Sequence, residues 1–581
     1  MKKNFLRSRW LFTMLLFVTT MIMPTMMLAK SITPTPPTIG DGRTEPYQIS
    51  TAAELYWFAG LVNGTLPSGE KNASANAKLM NDITVNEGVL DANKDLVSER
   101  DFIEWTPVGK SRDDAYTGTF DGKGYTVSGL YFNNPTSSYV GLFGYIGANG
   151  KISNVGVLNS YFQFGKYGGG VCGRNNNGEL QNCSNSSTVI GNQKYGTGGV
   201  CGMNYDGTVR DCKNTGSVKG TEAIGGVCGI NYGKTSTIEN CFNEGTVGGT
   251  GNFVSGVCGI NYGIIKCCYN TASVSGQYNV GGVCGNSYGS PTNCYYLSGT
   301  ATGGINGKDE SGKAEKRSIE EFKSGEVAWL LNGKGLGEQV WGQQLGIDPS
   351  PVPGSGYKVI KAAQGDKDAN GNYTYWATFS NQTKDATLSV QSGRTLNVYN
   401  ATVSGGKLTL TQRNNHQVAK KEGVLLKTDV EYVNAKANKT NELTTASSDE
   451  NHLVATPAEA KTVPADAGYI LYRLTYNDAI HKDRLGFYLS SSNGTSLKAT
   501  PGKAYLKVSE DEAKDPSSAA LARSFVFGSG NETTGIEGIT IMGTDVQRHG
   551  TIEGIFDLQG RKISNPTKGI YIKNNKKVII K

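Results

Sequence analysis

The chain has 581 residues, a formal net charge of +7 and only 18% charged residues, alongside 78 Gly and 29 Tyr. Such a turn-dense, polar but weakly charged composition fits β-rich, extracellular-type architecture. The mild positive balance, with no basic run interleaved with aromatics, excludes nucleic acid as a partner.

Lys2, Lys3, Arg7 and Arg9 precede an apolar stretch from Trp10 to Leu28, broken by Thr and Pro24 and ending near Ala29. This order of charge, apolar run and small residue predicts a secretory signal peptide over 1–29. No Cys lies near the cut site, so a lipid anchor there is not expected. Residues 30–45 read as a Pro/Thr/Ser linker. Residues 46–138 read as an N-terminal cap with the first strands. Thr51 and Glu54 form a capping box ahead of Leu55, Phe58, Ala59 and Val62 at helical spacing, and this helix should cover an open end. Lys78–Thr84 and Gly118–Val127 read as strands, the second turning at Asp121-Gly122.

From residue 139 to 300 one unit recurs: a GGVCG-like box, a polar turn, a hydrophobic-x-Asn-Cys box, then a Gly/Ser/Thr-Val strand. Cys172, Cys201, Cys228, Cys258 and Cys284 mark the first box at spacings of 29, 27, 30 and 26 residues. Cys183, Cys212, Cys241, Cys268 and Cys294 mark the second, and an earlier copy carries Phe143 and Val155 in the same slots. A fixed period of this length means a solenoid, because one unit cannot bury its apolar face until neighbours stack on it. Three short strands per unit with Gly at the corners predict an all-β fold, a right-handed parallel β-helix. Six coils at ~4.8 Å would make a rod of roughly 29 Å. Residues 301–345 read as a C-terminal cap with a helix opened by Ser318 and Glu321 and ended by Gly333, expected to close the other end. The Pro/Gly-rich stretch 346–356 reads as a linker. Alternating runs over 357–530 predict a β-sandwich-like domain. A second linker, 531–551, leads to a small C-terminal β-module, 552–581, whose last strands should pair around Asn574-Asn575.

The slots that hold Cys also accept Phe143 and Val155, which favours two interior columns of reduced thiols acting as small apolar side chains. Coil-crossing disulfides such as Cys172 with Cys183 are the alternative in a secreted chain. No metal site is expected, since Cys267 and Cys268 are adjacent rather than spaced for chelation and the repeats hold no His. Asn175, Asn204, Asn231 and Asn261, with Ser287 in the fifth place, recur three residues after the first Cys and can hydrogen-bond along a column. Tyr205, Tyr232, Tyr262 and Tyr288 follow one residue later. They are the candidate ligand contacts, because an exposed aromatic face can stack on a sugar ring. Residues 162–300 hold only six acids (Glu179, Asp206, Asp211, Glu222, Glu239, Glu244), with no paired-carboxylate constellation. The four His (His416, His452, His481, His549) lie outside the repeats and in no His-Glu-x-x-His arrangement. No catalytic residue and no cofactor are therefore assigned, and the chain is not expected to be an enzyme.

Tyr139-Val-Gly-Leu-Phe-Gly144 and Ile152-Ser-Asn-Val-Gly-Val157, with the later GGVCG and Asn-Cys copies, resemble the GLUG-repeat surface proteins of bacteria. The lead-in Trp105-Thr-Pro-Val-Gly109 and Gly118-Thr-Phe-Asp-Gly-Lys-Gly124 extend the likeness over about 41–345. The resemblance implies a cell-surface, adhesin-like β-helix. Some members of that group are immunoglobulin-cleaving metallopeptidases, whose His-Glu-x-x-His this chain lacks. Phe556-Asp-Leu-Gln-Gly-Arg561, Lys568-Gly-Ile-Tyr571 and Lys577-Val-Ile-Ile-Lys581 resemble the C-terminal sorting segments of type IX-secreted Bacteroidota proteins, with Asn574-Asn575 where a Gly-bearing turn is common. The resemblance implies export machinery as a partner. The expectation is a secreted or outer-surface, non-catalytic protein that binds a host, bacterial or glycan surface. A glycan-binding component of polysaccharide utilisation and a β-helix carbohydrate-active enzyme are the alternatives.

Overall fold

The computed structural model describes residues 31–98, 100–335, 339–368, 370–440, 443, 451–477, 481–514, 522, 524–526 and the strands 555–556, 562–563, 569–573 and 576–580. The expected signal peptide and the linker over 531–551 lie outside the described residues. The described chain forms two compact units, divided between Ser355 and Gly356.

The first unit is a parallel β-helix. Its box-one wall stacks Phe143–Ile146, Cys172–Asn176, Cys201–Tyr205, Cys228–Tyr232, Cys258–Asn261 and Cys284–Ser287 in one six-stranded sheet. Cys172 lies opposite Phe143 and Cys201, Cys201 opposite Cys228, Cys228 opposite Cys258, and Cys258 opposite Cys284, all in parallel register. The second wall has nine strands, so the rod is three coils longer than the six the repeats announce. Tyr47–Ile49, Ala77–Leu79 and Thr119–Asp121 join the ladder ahead of Lys151–Ser153. Those coils carry long insertions and fill their interior slots with Ile49, Leu79 and Phe120, which hides the period. The turn at Asp121-Gly122 is a coil corner and not a hairpin. Thr119–Asp121 pairs parallel with the next coil's Lys151–Ser153, and Thr126–Ser128 pairs parallel with Gly156–Leu158.

Each residue just before the second-box slot has left-handed backbone: Asn154 (φ 54°), Asn182 (51°), Asp211 (56°), Asn240 (52°), Cys267 (52°) and Asn293 (49°). Asn and Asp tolerate that conformation better than other residues with a Cβ, which explains the Asn-Cys motif. Cys267 is the position where the corner lacks such a residue. The second Gly of box one has a different cause, close approach. A Cβ on Gly170 would lie 2.0 Å from Asn185 Oδ1, on Gly199 2.3 Å from Asn214 Cγ, and on Gly256 2.2 Å from Asn270 Cγ.

Helix α1 (Ala52–Asn63) starts at a complete Thr51–Glu54 capping box and ends at left-handed Gly64. Its Leu55, Phe58 and Val62 join the rod's core, with the Phe58 ring 5.9 Å from Tyr116 and 6.0 Å from Phe120, so it plugs the N-terminal end. The C-terminal helices, α2 (Ile319–Ser324) and α3 (Glu326–Leu331), do not plug the other end. Phe322, Val327, Leu330 and Leu331 pack with Trp341 on the outward rings of Phe242, Tyr269 and Tyr295, along the rod's side. The last coil is instead covered by 301–317: Ile305 and Ala314 enter the core, and Ala314–Arg317 pairs with Cys294–Leu297. The Pro-rich stretch 346–356 is held rather than free. Val352–Pro353 pairs with Trp341–Gly342, and Tyr269 Oη donates to Pro351 O at 2.8 Å.

The second unit stacks three antiparallel sheets, consistent with the β-sandwich-like domain expected over 357–530. Tyr373–Ser380, Gly423–Thr428 and Leu396–Ser404 lie in the middle sheet. Val424 and Leu426 face one core with Phe379 and Val433, while Leu425 faces the other with Trp376, Tyr472 and Phe487. Burial on both faces is why Val424-Leu-Leu426 is an unbroken apolar run. In the tail, Gly569–Lys573 pairs with Lys576–Ile580, with Lys573 opposite Lys576; the turn expected at Asn574-Asn575 lies outside the described residues.

Cys267→Asn relieves the left-handed corner and should raise the rod's stability by about 0.5–1 kcal/mol, read as a higher melting temperature. A melting temperature at or below that of the parent would count against the corner argument.

Candidate functional site

The three outer walls of the rod differ in what they leave free. On the second wall, charges pair with one another: Arg210 Nε meets Glu179 at 2.8 Å, Lys266 meets Glu239 at 2.7 Å, and Arg210 Nη2 donates to Gln181 at 2.8 Å. The third wall is partly covered. The 86–103 loop crosses it, with Lys94 Nζ donating to Thr215 O at 2.7 Å and Lys219 meeting Asp95 at 3.2 Å, and further along α2, α3 and Trp341 bury Phe242 and Tyr269. Among the described residues, the box-one wall has no such cover.

Its outward residues run in register as Tyr145, Arg174, Met203, Ile230, Ile260 and Asn286. Tyr205, Tyr232, Tyr262 and Tyr288 border it at the strand ends, as the spacing predicts, with ring centroids 5.4, 5.1 and 4.8 Å apart. Tyr232, Tyr262 and Tyr288 are 43, 40 and 67% exposed. The interplanar angles refine what this column offers. Tyr205–Tyr232 (22°) and Tyr262–Tyr288 (18°) stack face to face, so those faces are taken by each other and the column presents hydroxyl-bearing edges. The break at 61° between Tyr232 and Tyr262 and the outermost ring, Tyr288, leave ring face available.

A second tyrosine column escaped the sequence reading. Tyr139, Tyr167 and Tyr195 stack at the corner entering this wall, at 5.9 and 5.3 Å. Its signal, a Tyr four to six residues ahead of the first-box Cys or Phe, lapses after three coils, where Ala223 and Phe253 follow. Arg174 joins the two columns. Its guanidinium lies 5.0 Å from Tyr205, 5.6 Å from Tyr145 and 6.0 Å from Tyr167. The wall is thus a strip with an apolar floor, phenol edges repeating at the coil spacing and a cation near one end. It can hold an extended polymer lying along the rod.

The ten ladder cysteines lie inside, buried, as free thiols. In the second column Cys183 N donates to Cys212 Sγ at 3.4 Å, and Cys212 N and Cys241 N repeat the contact one coil on. Burial pushes the thiols of Cys172, Cys228, Cys268 and Cys284 up. Cys267 is only partly buried; burial, then Cys294 and Glu239, push it up to about 11. The asparagines are also interior. Asn175, Asn204, Asn231 and Asn261 each donate Nδ2 to the next member of the column at 2.8–3.0 Å, ending on Ser287 Oγ. A second column, Asn185–Asn214–Asn243–Asn270, repeats this at 2.7–2.8 Å. Its signal, an Asn two residues after the second Cys, is plain in hindsight.

Residues 220–248 match the GLUG motif family. That segment is one full coil, running through Ile224–Gly225, Cys228–Tyr232, Thr237–Glu239 and Phe242–Asn243 to Val247. The chain therefore carries a GLUG repeat on a parallel β-helix. Among curated proteins it is similar to halomucin of Haloquadratum walsbyi, 32% identical over 144 residues, which cover 23% of this chain and 2% of halomucin. It is also similar to a protein of Evansella cellulosilytica provisionally named a Gly-rich membrane protein, 35% identical over 57 residues, 10% of this chain and 6% of that protein. The chain thus spans only a small part of either relative. Among solved structures, one from Bacteroides ovatus, provisionally named an immunoglobulin A1 protease, aligns at 20% identity and a TM-score of 0.37, over 55% of this chain and 95% of that one.

Two outcomes are expected from the interior columns. Asn231→Leu removes both an acceptor and a donor from a buried chain of amides and should cost about 2–3 kcal/mol by denaturant unfolding. The thiols of Cys172, Cys228, Cys268 and Cys284, which burial raises in the folded state, hold stability that is complete below the unfolded thiol pKa of about 8.5 and is lost as pH climbs toward the folded values. Melting temperature should accordingly fall between pH 7 and pH 10, and native alkylation read by mass spectrometry should reach at most Cys267.

Proposed function

We propose that the first unit is a non-catalytic binding rod, displayed at the cell surface, that holds an extended partner along its box-one wall. The observation that carries this reading is the contrast between walls: one is ion-paired within itself, one is partly covered by a loop and helices, and one keeps Ile230 and Ile260 half-exposed beside aromatic edges in register. Side chains recurring at every coil suit a repetitive partner, because each repeat of the ligand meets the same groups. A glycan strand fits this chemistry, since phenol hydroxyls hydrogen-bond its hydroxyls while Ile230 and Ile260 meet its apolar face. The rod's acids support a binding role over hydrolysis. Glu179, Glu239 and Glu222 pair with Arg210, Lys266 and Lys194, and Glu244 accepts from Ser350. The names of the similar proteins support a surface location, and the terminal hairpin of Gly569–Lys573 with Lys576–Ile580 supports export through a sorting machinery.

The test is an array of extended polysaccharides probed with the full chain and with the Tyr232→Ala/Tyr262→Ala/Tyr288→Ala variant. These rings are exposed, so the variant should fold with an unchanged circular dichroism spectrum. Affinity for the bound polysaccharides should fall about tenfold or more, equivalent to ~1.4 kcal/mol. Equal binding by the variant would overturn the assignment of the wall. Release of new reducing ends from a polysaccharide would overturn the non-catalytic reading.

A further inference from the structure

The second unit holds a cleft of about 340 Å³ between its middle sheet and the sheet of Tyr469–Asn477 and Ala504–Ser509. Four cationic side chains line it, Lys361, Arg473, Lys498 and Lys503, and no carboxylate does. Lys361 is offset by Glu431 at 2.8 Å. Among the described residues, Arg473, Lys498 and Lys503 have no acidic partner. Lys503 is the most confined of these. Burial and the neighbouring Lys358 push its ammonium down to about 8, and burial also lowers Lys358. The Lys358 ammonium stands against the backbone of Gly502, the residue before Lys503. Lys503 lines the cleft while Lys358 acts on its charge from outside the lining, and with no carboxylate in the lining the two cations repel each other unless an anion enters.

The remaining lining says what kind of anion. Thr475 and Thr500 present hydroxyls, and Trp376 and Tyr505 present ring surface. Polar hydroxyls beside aromatic rings are the groups that meet the polar rim and apolar face of a sugar. We infer that this cleft is a second binding site, distinct from the wall of the rod, that takes an anionic saccharide end group, a uronate carboxylate or a sulfate ester, against Lys503 and Arg473. The inference does not depend on the rod's ligand, since the two sites lie in different units.

The experiment titrates the full chain, by calorimetry and by thermal melting, with glucuronate, glucose 6-sulfate, glucose and inorganic sulfate. One or both anionic sugars should bind saturably and raise the melting temperature, while glucose should not; which of the two binds tells carboxylate from sulfate ester. Lys503→Met should weaken that binding at least tenfold. Without ligand it should melt no lower than the parent, because it removes a cation from beside Lys358. Arg473→Gln, on an exposed side chain, gives a second reading if Lys503→Met folds poorly, and should also weaken binding. No binding by the parent, undiminished binding by a folded variant, or an equal shift with inorganic sulfate would overturn the proposal. None of these results bears on the tyrosine variant of the rod.

Discussion

A buried amide must find its hydrogen bonds inside the protein, and along this rod each asparagine finds them in the adjoining coils. Asn204 takes the Nδ2 proton of Asn175 and gives its own to Asn231, while also donating to Gly207 O in its own turn. This fixes the register of every coil against the next more strictly than hydrophobic contact can, because an apolar column tolerates a slip that an amide column does not. The other motif residues follow from it. Gly170, Gly199 and Gly256 are small because the second amide column occupies the space of a side chain. The cysteines fill the space between columns with a small, soft side chain whose thiol can also accept a backbone N–H, as Cys212 Sγ does from Cys183 N.

With the interior constrained in this way, the outside of each coil is free to vary, and it varies by wall. The outward position next to the second Cys is Phe242, Tyr269 and Tyr295 where helices cover it, and the exposed Lys213 where they do not. The corresponding outward position of box one is Met203, which is buried, and then Ile230 and Ile260, which are half-exposed. The same backbone therefore presents a docking surface for its own chain on one side and an open strip on another.

The solenoid was legible because its cause is periodic: a Cys, Gly or Asn that recurs at a fixed offset reveals the contact it makes with its own copies. The N-terminal strands at Lys78–Thr84 and Gly118–Val127 were legible, but not that they build three further coils, because insertions between Leu79 and Thr119 break the spacing and the slots hold Ile49 and Phe120, which resemble any core residues. The role of α2 and α3 was misread for a related reason. Their capping box shows where a helix starts, not which surface it meets, and the aromatic side column they cover is visible only once Phe242 and Tyr269 are stacked. The tyrosine positions of the strip were readable from spacing. The orientation of the rings was not, since the choice between facing solvent and facing a neighbour is made by packing. In the second unit the double-sided burial of Leu425 and Leu426 required a third sheet that strand patterns alone do not count.

Both amide columns run in the same sense, each Nδ2 pointing toward the C-terminal end, and the first member of the box-one column, Asn175, keeps a buried Oδ1 with no donor because Ile146 precedes it. Aligned amides add their dipoles, as peptide groups do along a helix. The rod is therefore electrically polar along its length, with negative potential gathered at the asparagine that begins the column and positive potential at the hydroxyl of Ser287 that ends it.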